Sequence, residues 1–516
     1  MSKIWTKKPI SAFEADMKKS QLKRVLDKWS LTAIGIGAII GGGIFVLTGT
    51  GAYYHAGPAL ALSFVIAGIA CVFAALCYSE FASILPVEGS AYAYAYGTIG
   101  EIFAWIIGWG LILEYAMGSM TVAVAWSGYF NKLLKMFGLH LPEWLTSDPF
   151  SYTGEGFSMN LPALLIVLFV ISILVRGTKG ASKANNFIVT LKVSAVIFVI
   201  IAGAFFILPE NWTPFIPAPE MVKDGDILKE AYGWKGVISG AAAIFFAYVG
   251  FDAVSTQAGE AINPKKDVPF AIVASLLICT LLYILVSLVL TGMMHYSDFN
   301  PQGQYPDAIK APVAYAFEIA SKTQTGMMQT LTSGAGYIIT VAATIGLISV
   351  LMVMIMGQSR IFLGMSKDGL IPKMFSVVDP NAGVPRKNLM ILGGLISTVA
   401  AFTPINKLAD MTSFGTLFAF TMVCIAVWVL RKREPNLQRN FKVPALPVIA
   451  TLGILINVYL IFNLSWEAQA LSFSWLIIGM FVYFLYSIKN SNLHKKEFGE
   501  TFKAEQEPLE GVDLDS

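Results

Sequence analysis

The sequence predicts an all-α integral membrane protein with twelve transmembrane helices. Of its 516 residues, 56% are hydrophobic and only 13% are charged, and the mean hydropathy is +0.65. Soluble domains carry about 25% charged residues, and they cannot bury this much apolar surface. Apolar stretches of about 20 residues, the length that crosses a bilayer as a helix, recur along the chain.

Twelve such stretches define helices 1 to 12. Their predicted residues are 31–55, 58–85, 101–130, 161–176, 185–208, 236–260, 268–294, 333–363, 388–405, 408–431, 445–464 and 471–488. Each end is expected to hold only to within several residues, because helix boundaries are the least defined part of a sequence pattern.

The distribution of positive charge predicts that both termini are cytoplasmic. With the N-terminus inside, most of the 36 Lys and Arg residues fall in segments on the cytoplasmic side, as the positive-inside rule requires. The net charge of +3 therefore reflects topology and does not indicate a nucleic-acid partner.

Helix 1 contains a run of glycines that predicts a break. Residues 35–47 read G-I-G-A-I-I-G-G-G-I-F-V-L. Each glycine weakens a helix by about 1 kcal/mol, and amides freed in lipid need partners, so a break survives only where it lines a cavity. Close helix packing through small residues is the alternative. The clustering of these glycines favours the break.

Helix 6 is interrupted in the same way. Residues 245–252 read F-F-A-Y-V-G-F-D, an apolar run broken by glycine and followed by a carboxylate. Paired broken helices in two halves of a membrane protein indicate the central site of a transporter. The amides of Gly41, Gly42 and Gly43 would attract a carboxylate. Carbonyls near residues 245–247 would accept from an ammonium group, so a zwitterion such as an amino acid fits both breaks.

Two ionisable residues lie inside predicted spans. Glu114, about 12 residues into helix 3, needs a partner or a proton. A role near the substrate is favoured over a structural hydrogen bond. Lys192 of helix 5 can partly snorkel to the cytoplasm, or its ammonium can reach helix 1 where a coupling cation would otherwise bind. Position alone leaves both hypotheses for Lys192 open.

Other polar residues are weaker candidates. Glu80, Asp252 and Glu260 are predicted to lie close enough to the interface for hydration, or for pairing with Lys and Arg of the loops. The four cysteines are predicted to be small core residues. The four histidines fall in loops or at helix ends, so the sequence predicts no intramembrane metal site.

The order of the helices predicts two sets of five. Because five crossings reverse direction, helices 6 to 10 would repeat helices 1 to 5 upside down. The predicted divisions are a basic N-terminal segment (1–29), a first repeat (30–208), an outer loop (209–235), a second repeat (236–431), helices 11 and 12 (432–489) and a cytoplasmic tail (490–516). The N-terminal segment lies on the inner leaflet or forms a solvated arm, and the tail is predicted to be disordered.

The chain resembles the amino acid/polyamine/organocation transporter superfamily, and specifically bacterial members of its cationic amino acid transporter branch. Three stretches carry this resemblance: G-I-G-A-I-I-G-G-G-I-F-V-L-T-G (35–49), F-F-A-Y-V-G-F-D-A-V-S-T with G-E-A-I-N-P-K-K-D-V-P (245–269), and Q-S-R-I-F-L-G-M-S-K-D-G-L-I-P (358–372). The similarity covers residues from about 30 to 490. It implies the leucine-transporter-like 5+5 inverted-repeat fold, alternating access and amino acid substrates.

The resemblance also assigns roles to single residues. Lys192 matches a lysine that stands in place of the sodium ion of related carriers, which implies a role in proton coupling. Glu114, in L-I-L-E-Y (111–115), inherits a role near the substrate. Gly42 departs from many relatives, which have Ser, Thr or Ala there, so a hydroxyl contact is lost and a roomier pocket is expected.

We therefore predict a secondary transporter of the cell membrane, and not an enzyme, that imports L-amino acids with protons. The predicted substrate-binding residues are Ile39, Ile40, Gly41, Gly42, Gly43, Glu114, Phe245, Phe246, Ala247 and Tyr248. The expected partners are the substrate and membrane lipid, with no cofactor besides the proton; a small single-span partner is not specified. An exchanger without net proton flow and an amino acid sensor are the alternatives, and cationic and small neutral substrates both stay open.

Overall fold

The computed structural model describes residues 7–8, 26–84, 90–176, 181–224, 227–322, 324–379 and 382–497. Most of the predicted N-terminal segment 1–29 and most of the predicted tail 490–516 lie outside these residues. The side chain of Glu260 lies outside them as well.

Helical backbone is present at each of the predicted stretches. Helix 1 comprises Lys28–Ile39, Gly42–Phe45, Leu47–Gly51 and Ala52–Ala56; helix 2, Gly57–Ala59 and Leu60–Ile84; helix 3, Glu101–Met136; helix 4, Leu161–Leu174; helix 5, Ala181–Gly203 and Ala204–Phe206; and helix 6, Gly233–Ala243, Ile244–Tyr248 and Phe251–Glu260. Helix 7 is Pro264–Met293; helix 8, Gly326–Lys367; helix 9, Arg386–Phe402; helix 10, Ile405–Arg433; helix 11, Leu446–Ile461; and helix 12, Trp466–Val482, Tyr483–Ser487 and Ile488–Asn490.

Eight helical stretches of the described residues are long and apolar enough to cross a membrane. They are Leu47–Ile84, Glu101–Met136, Ile188–Phe206, Gly233–Ser255, Pro264–Met293, Thr332–Lys367, Ile405–Arg433 and Trp466–Lys495. Two shorter helices, Leu161–Leu174 and Leu446–Ile461, are also apolar.

Several elements between the long helices were not predicted. The loop 209–235, predicted as part of an all-α fold, contains an antiparallel hairpin of β1 (Glu220–Asp224) and β2 (Ile227–Ala231). The Asp224-Gly225 pair between two short runs is a hairpin signal that could have identified it. The other additions are the helices Ser90–Thr98, Pro312–Lys322 and Asn492–Glu497 and the short turns Glu143–Leu145, Pro209–Trp212, Tyr296–Phe299, Ala308–Lys310 and Lys373–Ser376.

The helices pack so that helix 3 faces the two interrupted helices. Helix 7 packs against helix 2 and the first half of helix 1, while helix 3 packs between helices 8 and 10 and helix 4 packs on helix 9. Along helix 3, Gly118, Ala125 and Tyr129 all contact helix 1 or helix 6 or approach them closely. Their spacing follows the 3.6-residue period, so one face of helix 3 lines both interruptions. The four cysteines are buried, as predicted.

Candidate functional site

Helix 1 is interrupted at Ile40 and Gly41, within the glycine run. The first half ends where Ile40 turns to an extended conformation (φ −68°, ψ 103°). Gly41 is also non-helical (φ −151°, ψ −146°), and helix restarts at Gly42 with no side chain capping it. In the described part of the chain, no backbone carbonyl accepts from the amides of residues 41–43. These amides are therefore free to bind an anion, as at other helix starts.

Helix 6 is interrupted at Val249 and Gly250. Its first half tightens into a 3₁₀ turn over Ile244–Tyr248, Val249 is extended (φ −60°, ψ 133°), and a 3₁₀ segment follows over Phe251–Glu260. Gly250 has a φ of +114°, and a Cβ atom there would lie 2.9 Å from the Ala38 carbonyl oxygen. Only glycine fits this conformation so close to helix 1.

The two interruptions contact each other directly. A Cβ atom at Gly43 would lie 2.3 Å from the Cα atom of Ala247, so the second half of helix 1 touches the first half of helix 6. At Gly42 an added Cβ would lie 3.2 Å from the Ala125 Cβ and 3.6 Å from the Phe246 ring. The space beside Gly42 is thus already bounded, which limits the extra room expected from its missing side chain.

A tyrosine that the sequence analysis missed bridges both interruptions. The hydroxyl oxygen of Tyr283, on helix 7, lies 2.8 Å from the carbonyl oxygen of Ile39 and 2.9 Å from that of Ala247, and it can donate to either. These are two of the carbonyls predicted to accept from an ammonium group. A signal existed, since Tyr283 lies in the middle of an apolar span and not in the interfacial belts where Tyr is enriched.

Other hydrogen bonds hold the helix 6 turn in place. The amide of Phe246 donates to the Ser413 hydroxyl of helix 10 at 3.0 Å. The Tyr248 hydroxyl donates to the Phe64 carbonyl of helix 2 at 2.7 Å. Phe245 is fully buried against Phe420, whereas the Phe246 ring faces Gly42. Of the two predicted aromatic neighbours of the substrate, Phe246 is therefore the one whose ring borders helix 1.

Three of the remaining predicted residues can offer only backbone groups for hydrogen bonding. Ile39, Ile40 and Ala247 have buried side chains that are nearly inaccessible to solvent. Their aliphatic groups carry no polar atom, so any contact with a zwitterion must come from their peptide groups.

Lys192 reaches helix 1, as the functional hypothesis for it required. Its side chain is fully buried, and its ammonium donates to the carbonyl of Gly37 and, at 3.3 Å, to the Ser349 hydroxyl of helix 8. No carboxylate of the described residues contacts it. The buried ammonium therefore has only neutral hydrogen-bond partners among these contacts.

Glu114 of helix 3 and Asp252 of helix 6 are both buried carboxylates. Both are 1% exposed. Neither oxygen of Glu114 has a hydrogen-bond partner within the described ranges, while Asp252 accepts from the Tyr115 hydroxyl at 3.1 Å. The expectation that Asp252 would be hydrated or paired with a loop cation is therefore wrong. The tightly wound second half of helix 6 keeps this residue inside the helix packing.

Glu80 does follow the expectation of pairing with basic residues. Its fully buried carboxylate accepts from the guanidinium groups of Arg431 and Arg439 and from the amide of Val443 at 2.8 Å. This cluster ties the end of helix 2 to the segment between helices 10 and 11, away from the interruptions.

A cavity of about 370 Å³ opens at one end of the interrupted helices. It is lined by the second half of helix 1, the first half of helix 6, the start of helix 10 and the turn between helices 11 and 12; Thr50, Ile244, Asp410 and Ser465 are among these residues. None of the predicted substrate-binding residues is among the residues that line this cavity.

The sequence also matches known proteins. The model of the amino acid permease family matches residues 26–487. The chain belongs to this family. A permease of this kind is a transporter and not an enzyme, and together with the apolar helices the match establishes a multi-pass membrane protein that transports amino acids.

Three relatives illustrate the range of the permease's similarity. It is 41% identical to the methylthioribose transporter of Bacillus subtilis over 96% of this chain and 100% of the relative. It is 43% identical to the branched-chain amino acid permease BcaP of the same organism over 92% of this chain and 96% of the relative. It is 36% identical to the vacuolar cationic amino acid transporter 4 of Arabidopsis thaliana over 81% of this chain and 64% of the relative.

Proposed function

We propose that this permease imports amino acids together with protons by alternating access, through a site between helices 1 and 6. The observation that carries the proposal is the direct contact between two interrupted helices, one offering amides and the other carbonyls. Half-helix ends of this kind bind charged substrate groups in transporters.

The proposed architecture has twelve crossings with both termini in the cytoplasm. Residues 30–208 and 236–431 form two inverted five-helix repeats, joined by the outer loop 209–235 and followed by helices 11 and 12. The packing supports this arrangement, because helices five positions apart in the chain pack together: 2 with 7, 3 with 8 and 4 with 9. Equivalent elements meet in this way around a pseudo-two-fold axis.

In this site the backbone holds the substrate. The amides of Gly41, Gly42 and Gly43 bind the carboxylate at the positive end of a half-helix. The carbonyls of Ile39, Ile40 and residues 245–248 accept from the ammonium group. Because the Tyr283 hydroxyl contacts two of these carbonyls, it gives way to the ammonium when substrate binds.

Lys192 is the proposed proton carrier. Protonated, its ammonium holds the first half of helix 1 through the Gly37 carbonyl. Loss of the proton removes a charge-assisted hydrogen bond, which frees this half of helix 1 to move and opens the site toward the cytoplasm. Each transport cycle then carries one proton with the substrate.

Uptake into proteoliposomes tests this proposal. The wild-type permease is expected to accumulate radiolabelled amino acid when the outside is acidic, and Lys192→Ala is expected to lose this stimulation. Lys322→Ala is a control, because Lys322 forms an exposed ion pair with Glu318 away from the cavity. Uptake that is independent of the proton gradient in both wild type and Lys192→Ala would contradict proton coupling.

Preloading the vesicles with amino acid distinguishes an exchanger from a symporter. An exchanger takes up label only when the vesicles already contain amino acid, whereas a symporter also works with empty vesicles. Uptake into empty vesicles driven by a proton gradient supports symport.

The substrate itself is best identified by thermal shift, since a ligand that binds the folded state raises the melting temperature. The ligands to be tested are taken from the names of the relatives: branched-chain and cationic amino acids, and methylthioribose. A site built for a zwitterion predicts shifts with amino acids and none with methylthioribose, which lacks both charged groups.

A further inference from the structure

Glu101, the first residue of helix 3, is a fully buried carboxylate that binds the segment following helix 12. Its Oε1 atom accepts from the Tyr483 hydroxyl at 3.3 Å. Its Oε2 atom accepts from the Tyr96 hydroxyl at 3.0 Å and from the Ser491 hydroxyl. The Nε2 atom of His494 lies 3.6 Å from Oε1. The start of helix 3 thus holds two residues of the C-terminal segment.

The imidazole of His494 faces two acceptors at once. It is 6% exposed, its Nδ1 atom lies 3.0 Å from the Ile488 carbonyl oxygen, and its Nε2 atom faces Glu101. A neutral imidazole has a single N–H group, so it can donate to only one of these acceptors, whereas the protonated ring donates to both. The contact with Glu101 therefore favours the protonated form of His494.

The same segment is fastened to the end of helix 8. The backbone amide of Asn492 donates to the Asp368 carbonyl at 3.0 Å, and its side-chain amide donates to the Lys367 carbonyl at 2.7 Å. Residues 491–494 therefore join the start of helix 3 to the end of helix 8. In the proposed topology both of these helix ends lie on the cytoplasmic side.

Other titratable or charged groups surround this contact from each neighbouring element. Histidine is the side chain whose charge normally changes between pH 5 and 8, so the imidazole is the group that responds in this range. The remaining groups are Tyr92 and Tyr96 of Ser90–Thr98, Tyr483 of helix 12, Asp368 of helix 8, Lys8, Arg433 at the Ile99 carbonyl, and Lys495.

We propose that residues 491–494 form a C-terminal latch that closes on Glu101 when the cytoplasm is acidic and slows transport. The protonated ring of His494 closes the latch at low pH, and loss of its proton as the pH rises releases it. A closed latch ties helices 3, 8 and 12 together on the face where the substrate leaves, which opposes opening of that face. The inference rests on the proposed function, in which each cycle imports a proton, and adds regulation by cytoplasmic pH.

Trypsin cleavage after Lys495 measures whether the latch is closed. Purified full-length permease is digested at about pH 6 and about pH 8, on either side of the histidine range. Each rate is divided by that of a free peptide of residues 488–497, which corrects for the pH dependence of trypsin itself. We expect wild type to be cleaved at least about fivefold more slowly at the lower pH, because a buried charged pair is then made.

Substitutions of the two partners assign this effect to the pair. His494→Gln keeps an N–H donor but cannot be charged, so its corrected cleavage rate should be the same at both pH values. Glu101→Gln should abolish the pH dependence as well. Because a change at a fully buried site can impair folding, the conclusion rests on His494→Gln. His140→Gln, in the exposed loop after helix 3, is the matched control and should behave as wild type.

Exchange of labelled amino acid across proteoliposomes tests the effect on transport. The pH is kept equal on both sides, so no proton gradient drives the exchange. At about pH 6 we expect His494→Gln to exchange about threefold faster than wild type, because a contact made only in the closed state is lost. At about pH 8 the two should be equal. Equal rates at both pH values would overturn the proposed slowing of transport.

The outcomes distinguish this inference from the transport function. If wild type exchanges no amino acid, the proposed function itself fails. If wild type transports, but its cleavage after Lys495 depends on pH in the same way as that of His494→Gln, transport stands and the C-terminal latch is rejected.

Discussion

Single hydroxyl groups provide hydrogen bonds to the backbone at the two interruptions. The Tyr283 hydroxyl contacts the carbonyls of Ile39 and Ala247, and the Ser413 hydroxyl accepts from the Phe246 amide. Each replaces a hydrogen bond that the broken helices cannot make. The two breaks are thus stabilised by side chains of neighbouring helices.

Tyr283→Phe tests this at the level of one oxygen atom. Removing the hydroxyl leaves two buried carbonyls without a donor, so the empty protein should lose about 1–3 kcal/mol of stability. The substrate ammonium no longer competes with the hydroxyl, so amino acid affinity should rise several-fold. Calorimetric titration and melting of the empty protein measure the two effects. Weaker binding in Tyr283→Phe would contradict a competing role for Tyr283.

At the scale of elements, the glycine patterns located both breaks but not their neighbours. The runs at 35–47 and 245–252 place the interruptions because the cost of glycine in a helix is local. The neighbours of Lys192 and Glu114 could not be derived in the same way. They come from helices 1, 6, 8 and 10, distant in sequence, and one apolar stretch gives no information about which helix packs beside it. The position of Asp252 was predicted wrongly for a different reason. Its depth was counted along a regular α-helix, whereas Phe251–Glu260 forms a 3₁₀ helix.

The contact between Gly43 and Ala247 makes a matched pair of substitutions informative. Gly43→Ala would place a methyl group 2.3 Å from the Ala247 Cα atom, so the two half-helices must separate. We expect uptake to fall at least about tenfold, as for misplaced binding groups. Gly394→Ala, on helix 9 with nothing within 4 Å of the added Cβ, should retain wild-type uptake. If Gly43→Ala also transports normally, the backbone contact is not part of the site.

Across the whole molecule, ion pairs tie helix ends to neighbouring segments. Glu80 joins the end of helix 2 to Arg431 at the end of helix 10 and to Arg439 in the segment that follows it. Lys8 pairs with Asp368, at the end of helix 8, at 3.3 Å. The transport function was predicted from the paired interruptions and from the family resemblance. The overall class and most helix positions could be predicted from composition and hydropathy, because the membrane imposes them on the chain. The pairing of helix ends could not, because it depends on the tertiary packing.

Glu80→Ala measures how much this cluster contributes. Removing one partner leaves the guanidinium groups of Arg431 and Arg439 facing a buried space, which should cost about 3–5 kcal/mol. Glu434→Ala is the matched control, because Glu434 is 55% exposed and lies 3.9 Å from Lys7; it should cost less than about 1 kcal/mol. Denaturation of the detergent-solubilised protein measures the loss of stability in both variants. Equal losses of stability would show that burial of the Glu80 pair contributes nothing.

In the proposed site, peptide groups of two interrupted helices hold the amino acid. A structure determined with bound amino acid measures this most directly. We predict carboxylate oxygens within hydrogen-bonding distance of the amides of residues 41–43, and the ammonium nitrogen at the carbonyls of Ile39 and Ala247. A substrate bound elsewhere, or helices 1 and 6 continuous through the membrane, would contradict the account.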